Sequence, residues 1–254
     1  MFKKVSRVAG RLLSLAPYHQ KAYQFWYNNF HDYEIQNYES PVNVIKLLYV
    51  NPNTITKGTR RPLPAWTEFS LGQVMEGEWD QRHKIPVKEP YDTEWFDRLI
   101  HGHRIEETVL HNSLFDHFEK GVGWRDTEYY NTLIAALENG RRCPPGADRN
   151  EIIQRLQQLD KVFHSIQKNG YKSQQEMKPK PFKEQLLNEI RVDIGRNGDL
   201  LLVDGRHRLS MAKILDINKI PVIIEVRHKK WAESRVSFFK NKTPTNHPDI
   251  EEYI

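Results

Sequence analysis

Residues 190–226 read IRVDIGRNGDLLLVDGRHRLSMAKILDINKIPVIIEV, and their pattern decides the fold. Ile190, Val192 and Ile194 alternate with Arg191 and Asp193, the period of a half-buried strand. Asn197-Gly198 is the preferred pair for a type I′ hairpin turn. Asp199–Val203 is then the returning strand, apolar enough to be central. Leu209, Ala212 and Leu215 share one helical face, so a helix begins at about Arg206. Ile220–Val226 is a further strand, and it leaves into Arg227, His228, Lys229, Lys230 and Trp231. Strands and helices mixed in this order predict an α+β fold: a small mixed sheet with helices, joined by a mostly helical N-terminal extension.

The centre of this stretch is a strand, an Asp204-Gly205 turn, and Arg206, His207 and Arg208 on the first turn of a helix. Free backbone N–H groups and the helix dipole make such an end an anion site. The arginines add donors able to grip a phosphate with two nitrogens. Gly205 permits a sharp turn and close backbone approach. Basic residues are disfavoured at a helix N-terminus, and three together there break a local rule in the way functional sites do.

Charge placement agrees. The 254-residue chain carries a net charge of +5. Residues 1–150 hold 19 basic and 19 acidic side chains, and residues 151–254 hold 19 and 14, so the whole excess lies in the C-terminal part. That suits an anionic ligand. With 38% hydrophobic and 28% charged residues the composition is that of a folded chain rather than a disordered one. No run of about 18 apolar residues exists to form a transmembrane helix. A single cysteine, Cys143, excludes an internal disulfide and a cysteine-based zinc site, and suits a cytoplasmic setting.

Upstream of the decisive stretch, residues 152–168 repeat apolar side chains at helical steps, from Ile152 to Ile166, and Asn169-Gly170 ends them in the αL manner. Tyr171, Lys172, Ser173 and Gln174 follow as a loop, and residues 178–181 (KPKP) as an extended basic excursion. Helices are expected over 106–119 and over 127–139, the second capped by Asp126. Residues 77–80 (GEWD) read as a polar corner, and Val42–Val50 as a buried strand followed by an Asn-Pro-Asn turn. Residues 1–16 have helical spacing with four basic residues, giving a helix docked on the protein or lying on an anionic membrane surface. Eight aromatics over 18–38, with only Lys21 basic among them, point to core packing. The spacing of His101, His103, His111 and His117 does not make a metal pair. The Cys143-Pro144-Pro145-Gly146 breaker divides the chain into an extension, 1–145, and a C-terminal domain, 146–254.

DGRHRLSMAKIL (204–215) followed by IPVIIEVRH (220–228) resembles the signature of the ParB/sulfiredoxin-like fold family, in which a G-x-x-R or G-x-H-R turn opens a helix and binds nucleotide phosphates. LDKVFHSIQKNGYKSQ (159–174) is similar to that family's S-I-x-x-x-G approach to the pocket. The resemblance covers about a third of the chain, 151–231. It implies a nucleotide ligand (ATP, ADP or CTP), with Mg²⁺ as an accompanying ion. Arg206 stands where sulfiredoxins carry their cysteine, which argues against sulfinic acid reduction. The turn differs from that of ParB partition proteins, and about 23 residues follow Trp231, too few for their DNA-binding domain.

The resulting expectation is a nucleotide-binding protein that transfers a phosphoryl group to a small molecule or hydrolyses the nucleotide. Gly205, Arg206, His207 and Arg208 would hold phosphates, and Lys172 and Ser173 would close over the nucleotide. Asp204 or Asp193, with Asp160 behind them, would act as base or hold Mg²⁺, and His207 would donate a proton or hydrogen bond. Arg227 and His228 are candidates to approach the same pocket. The alternatives are a non-catalytic nucleotide-responsive interaction module and a ParB-like nucleic-acid-binding protein or nuclease.

Overall fold

Alternation of apolar side chains in 190–226 places one side of three strands in the core, and the rest of the sheet assembles on them. The computed structural model describes residues 33–61, 70–82, 104–140, 148–177, 182–243 and 245–253. The expectations for residues 1–32, for the histidines at 101 and 103, for the 143–146 breaker and for 178–181 lie outside them. The described strands are β1 (Leu48–Val50), β2 (Lys57–Gly58), β3 (Gln73–Met75), β4 (Ile190–Ile194), β5 (Leu200–Asp204) and β6 (Ile220–His228). The described helices are α1 (Val109–Lys120), α2 (Glu128–Glu138), α3 (Arg149–Asn169), α4 (Phe182–Leu187), α5 (Arg206–Ile214) and α6 (Lys229–Asn241). The architecture is α+β around one six-stranded mixed sheet, ordered β1-β6-β4-β5-β2, with β3 beside the C-terminal half of β6. Strands from both sides of residue 145 therefore belong to one sheet. No helix among the described residues is long and apolar enough to cross a membrane.

β4 and β5 pair antiparallel, β4 and β6 parallel. Ile190, Val192, Ile194, Leu200, Leu202, Ile220, Val222 and Ile224 form the apolar side, covered by Leu209 and Ala212 of α5. α1, α2 and α3 build a second core with Leu110, Leu114, Leu133, Leu156 and Phe163, into which α5 sends Met211. The Phe118 and Phe163 rings stack there at 3.7 Å between centroids. Helix α5 is thus wedged between the sheet and the three-helix core, which fixes its N-terminus. Each helix of that core has a side-chain cap: Thr108 receives His111 N–H, Thr127 receives Tyr130 N–H, and Asp148 receives the N–H groups of Asn150 and Glu151. The cap of α2 is Thr127 rather than Asp126, which lies in the preceding 3-10 turn.

Three other local expectations change. Only Leu48–Val50 of the 42–50 stretch is strand, because Asn43 to Lys46 turn before reaching the sheet. Gly170 has φ +73° and ψ 170°, an extended mirror conformation rather than αL. The β4–β5 hairpin is not type I′: Asn197 does not have positive φ, whereas Gly198 has φ +91°. Gly195 N–H donates to Asp199 C=O and Gly198 N–H to Gly195 C=O. This is the three-residue loop with a left-handed glycine last. A Cβ on Gly198 would stand 2.8 Å from the Trp231 ring. Asp80, in the polar corner expected at 77–80, receives Arg196 N–H at 2.8 Å and the Arg196 guanidinium, pinning this hairpin.

The C-terminal segment is strapped across the end of β6. The Asp249 carboxylate receives Arg227 Nη2 at 2.5 Å and Trp231 Nε1 at 3.0 Å, and lies 2.6 Å from Arg235 Nη1. All three charges are buried, and the arginines hold the Asp249 carboxyl down to about 2, against burial, which pushes it up. Asp249→Ala leaves two buried arginines without this counter-charge, with an expected loss of about 3–5 kcal/mol in urea denaturation at pH 7. Because the folded-state value lies below the unfolded one, the carboxylate's contribution is present above the ordinary aspartate range and is lost as pH falls through about 2. A variant as stable as wild type at neutral pH would show the strap to be energetically idle.

Candidate functional site

Asp204 ends β5, Gly205 turns, and Arg206 starts α5. Gly205 has φ +94°, and a Cβ there would lie 2.9 Å from Ile190 Cγ1 and 3.0 Å from its Cα. Both the conformation and the close approach require glycine. α5 has no side-chain cap at its N-terminus, unlike α1, α2 and α3. Its first N–H groups are therefore not met by a capping side chain.

The expected phosphate residues are brought together here. Arg206 is buried, and His207 and Arg208 are half-buried. His207 Nε2 lies 3.2 Å from the Tyr129 hydroxyl of α2. Burial and then the charge of Arg206 depress the imidazole to about 3, so it is neutral at physiological pH and acts as a hydrogen-bonding group, not a cationic acid. Arg208 Nη2 donates to the carbonyl of Asn188, while its Nη1 is buried with no hydrogen-bond partner.

The expected acids are placed differently. Asp193 is fully buried in the sheet, where Thr59 Oγ1 donates at 2.7 Å, Arg61 Nε at 2.6 Å and Val226 N–H at 3.1 Å. That last N–H is freed because the β4–β6 register shifts between Val192 and Ile194. Arg61 Nη2 reaches Glu225 at 2.6 Å, Glu225 reaches Arg191 Nη1 at 2.6 Å, and Arg191 Nη2 reaches Asp204 at 3.2 Å. Asp204 also feels Arg206, and these cations hold its carboxyl below the usual range against burial, which raises it. The result is a row of two arginines and three carboxylates leading from Arg61 to the turn, where Arg206 stands. Both aspartates are committed to it.

Lys172 is exposed, and Ser173 is turned into its own loop, donating N–H and Oγ–H to Glu176 at 2.8 Å each. Asp160 lies on another face, receiving Trp124 Nε1 at 2.8 Å and facing His117 at 3.1 Å. Arg227 and His228 sit at the opposite end of the sheet, because β5 runs against β4 and β6. There Arg227 holds Asp249, and His228 Nε2 lies 2.8 Å from Gly77 O while its Nδ1 accepts Lys230 N–H. Neither approaches the turn. Among the described residues no group of three His, Cys, Asp or Glu could hold a metal ion.

Sequence reasoning missed Glu189. It is 1% exposed, immediately before β4, and its Oε1 receives Gln174 N–H at 2.6 Å while Oε2 has no hydrogen-bond partner. Burial pushes its carboxyl up to about 7, against the pull of the Gln174 N–H and Arg208. A glutamate beside an apolar strand carries no signal of burial in the sequence. Tyr171 stands in the same corner, its hydroxyl raised to about 12 by burial against the opposing charge of Arg208.

No protein-family model, curated protein or solved structure matches this chain in comparison with known proteins.

Glu189 gives a pH prediction. Its folded-state value is raised from 4.5, so its contribution to stability is present below about pH 4.5 and lost as pH rises through about 7. Glu189→Gln removes that loss. The variant should match wild type near pH 5 and exceed it by up to about 3 kcal/mol near pH 9 in urea denaturation. Equal stability at both pH values would place the Glu189 carboxylate in a solvated setting instead.

Proposed function

We propose that this chain binds a nucleotide (ATP, ADP or CTP) by its phosphates at the Gly205–Arg208 turn, and transfers a phosphoryl group to a small molecule or hydrolyses the nucleotide. The observation that carries this reading is the uncapped N-terminus of α5 with the buried, unmatched Arg208 Nη1 beside it. A phosphate oxygen would complete both. Arg206 and Arg208 would neutralise phosphate charge, and neutral His207 would donate or accept a hydrogen bond, its ring steadied by Tyr129. The loop 171–177 would flank the ligand with Tyr171 and Gln174 rather than with Ser173. Such a site works by positioning and charge neutralisation.

The two expected aspartates do not suit a protein-held Mg²⁺, since Asp193 and Asp204 are bound to arginines. A magnesium ion would arrive on the nucleotide phosphates. The same observation favours a second reading, a non-catalytic nucleotide-responsive module: neither expected acid is free to act as a base. A cytoplasmic setting belongs to the same proposal.

The test is thermal stabilisation by ATP, ADP and CTP, with and without Mg²⁺, on wild type and Arg208→Ala. A ligand at 100 times its dissociation constant adds about 2.7 kcal/mol. Stabilisation by a nucleotide, lost in the variant, is the expected result, and phosphate release then separates the enzyme from the module. Wild type indifferent to all three would overturn the reading, and salt-dependent binding of nucleic acid would replace it.

A further inference from the structure

Among the orphaned atoms next to the phosphate turn are two of opposite character, and the Tyr171 hydroxyl is a third. Glu189 Oε2 is an acceptor, or a donor when protonated, and Arg208 Nη1 is a donor, and each is buried without a hydrogen-bond partner. They belong to one corner. Arg208 Nη2 is tied to the carbonyl of Asn188, the residue before Glu189, and the loop that carries Tyr171 hands its Gln174 N–H to Glu189 Oε1. Buried polar atoms of native proteins are matched, so two in one corner call for an outside partner. A phosphate oxygen would satisfy Arg208 but repel Glu189 once that carboxyl is ionised. The partner that meets both atoms then is an anion that also carries a hydrogen-bond donor away from its charge.

We infer that Glu189, with Tyr171 beside it, receives a hydroxyl or amino group of the ligand whose phosphate Arg208 and the turn hold, so that the site accepts nucleotides and rejects bare polyphosphate. This rests on the phosphate reading of the turn. Ionised Glu189 accepts the hydrogen bond, and Tyr171, kept protonated, offers a donor. The groups facing Glu189 are Arg208 from α5, Glu176, Tyr171 and the Gln174 and Gln175 N–H groups from the loop, and Tyr49 from β1, which is 54% exposed and feels both Glu176 and Glu189; Lys172 acts on Glu176. Arg208 is the cation that lowers the Glu189 carboxyl, and a ligand phosphate drawing on its charge leaves Glu189 more basic. The donor must then offset that loss, which couples recognition of the two ends of the ligand. Binding is also coupled to the Glu189 proton, because with Oε1 taken by the Gln174 N–H the remaining Oε2 accepts well only when ionised.

The experiment compares each nucleotide with the polyphosphate of its own length: ATP and CTP against inorganic tripolyphosphate, and ADP against inorganic pyrophosphate. The ionisation of the phosphates largely cancels within each pair. Wild type should bind the nucleotide more tightly, with the affinity ratio rising about tenfold between pH 6 and pH 8, the change in ionised fraction of an acid titrating near 7. Glu189→Gln should bind polyphosphate at least as tightly as wild type and give a ratio independent of pH. Tyr171→Phe, which keeps the ring, should lower the ratio at every pH. A ratio that changes with pH equally in wild type and Glu189→Gln, or equals one in both, overturns the inference while polyphosphate binding lost in Arg208→Ala leaves the turn's role standing. Wild type that binds neither probe overturns both.

Discussion

The row of ion pairs from Arg61 to Asp204 is the constraint around which the molecule is organised. Putting two arginines and three carboxylates against a sheet is costly unless the charges meet their opposites in good geometry. The strands must therefore sit in a register that delivers Asp193, Glu225 and Arg191 to one another. Both β-bulges serve this. One, on β6, releases the Val226 N–H to Asp193. The other, in the β4–β5 pairing, brings Asp204 opposite Arg191. A sheet held by apolar packing alone would tolerate a slip of register that this row forbids. The row also explains why the acid at the head of α5 is a partner for Arg191 and not a helix cap.

Helix α5 carries this order to the surface. Leu209 and Ala212 fix it to the sheet, and Met211 fixes it to the three-helix core. Its first turn is consequently held from both sides, the rigid platform that the proposed phosphate site calls for. The loop 171–177 leans on that platform through Tyr171, and on the strand end through Gln174 and Glu189. A cost in stability is concentrated at Glu189, whose carboxylate opposes folding at neutral pH and whose Oε2 lies in the corner beside the turn without a hydrogen-bond partner.

Much of this was legible in the sequence, and the reasons are specific. Ile190, Val192 and Ile194 announced β4 because alternation survives burial of one face, and the Arg206 start of α5 followed from Leu209 and Ala212 sharing a face. Gly205 was legible because a turn between strand and helix needs its conformation. What failed was anything depending on a distant partner. Asp193 looked like a solvent-facing strand residue, and only Arg61 and Thr59, more than 130 positions away, make it a core ion. Arg227 and His228 seemed close to the turn in sequence, but the direction of β5 sends them to the other end. Glu189 gave no signal, since its burial comes with the loop that hands it the Gln174 N–H. Asn197-Gly198 misled because the three-residue loop uses the same glycine with a different first residue.

The sheet also dictates when the chain can fold. Leu48 pairs with Val222 and Lys57 with Leu201, and Arg61 meets Glu225, so the first strands find hydrogen-bond and charge partners only near the end of the chain. During synthesis these segments emerge long before β5 and β6 exist. Until then Arg61 has no carboxylate to meet, and the edge of β1 has nothing to pair with. Such long-range closure is slow relative to local helix formation. The three-helix core, made of neighbours in sequence, can form while the ribosome is still at work, and the sheet closes around it afterwards. A nascent chain of this design depends on staying unaggregated through that interval.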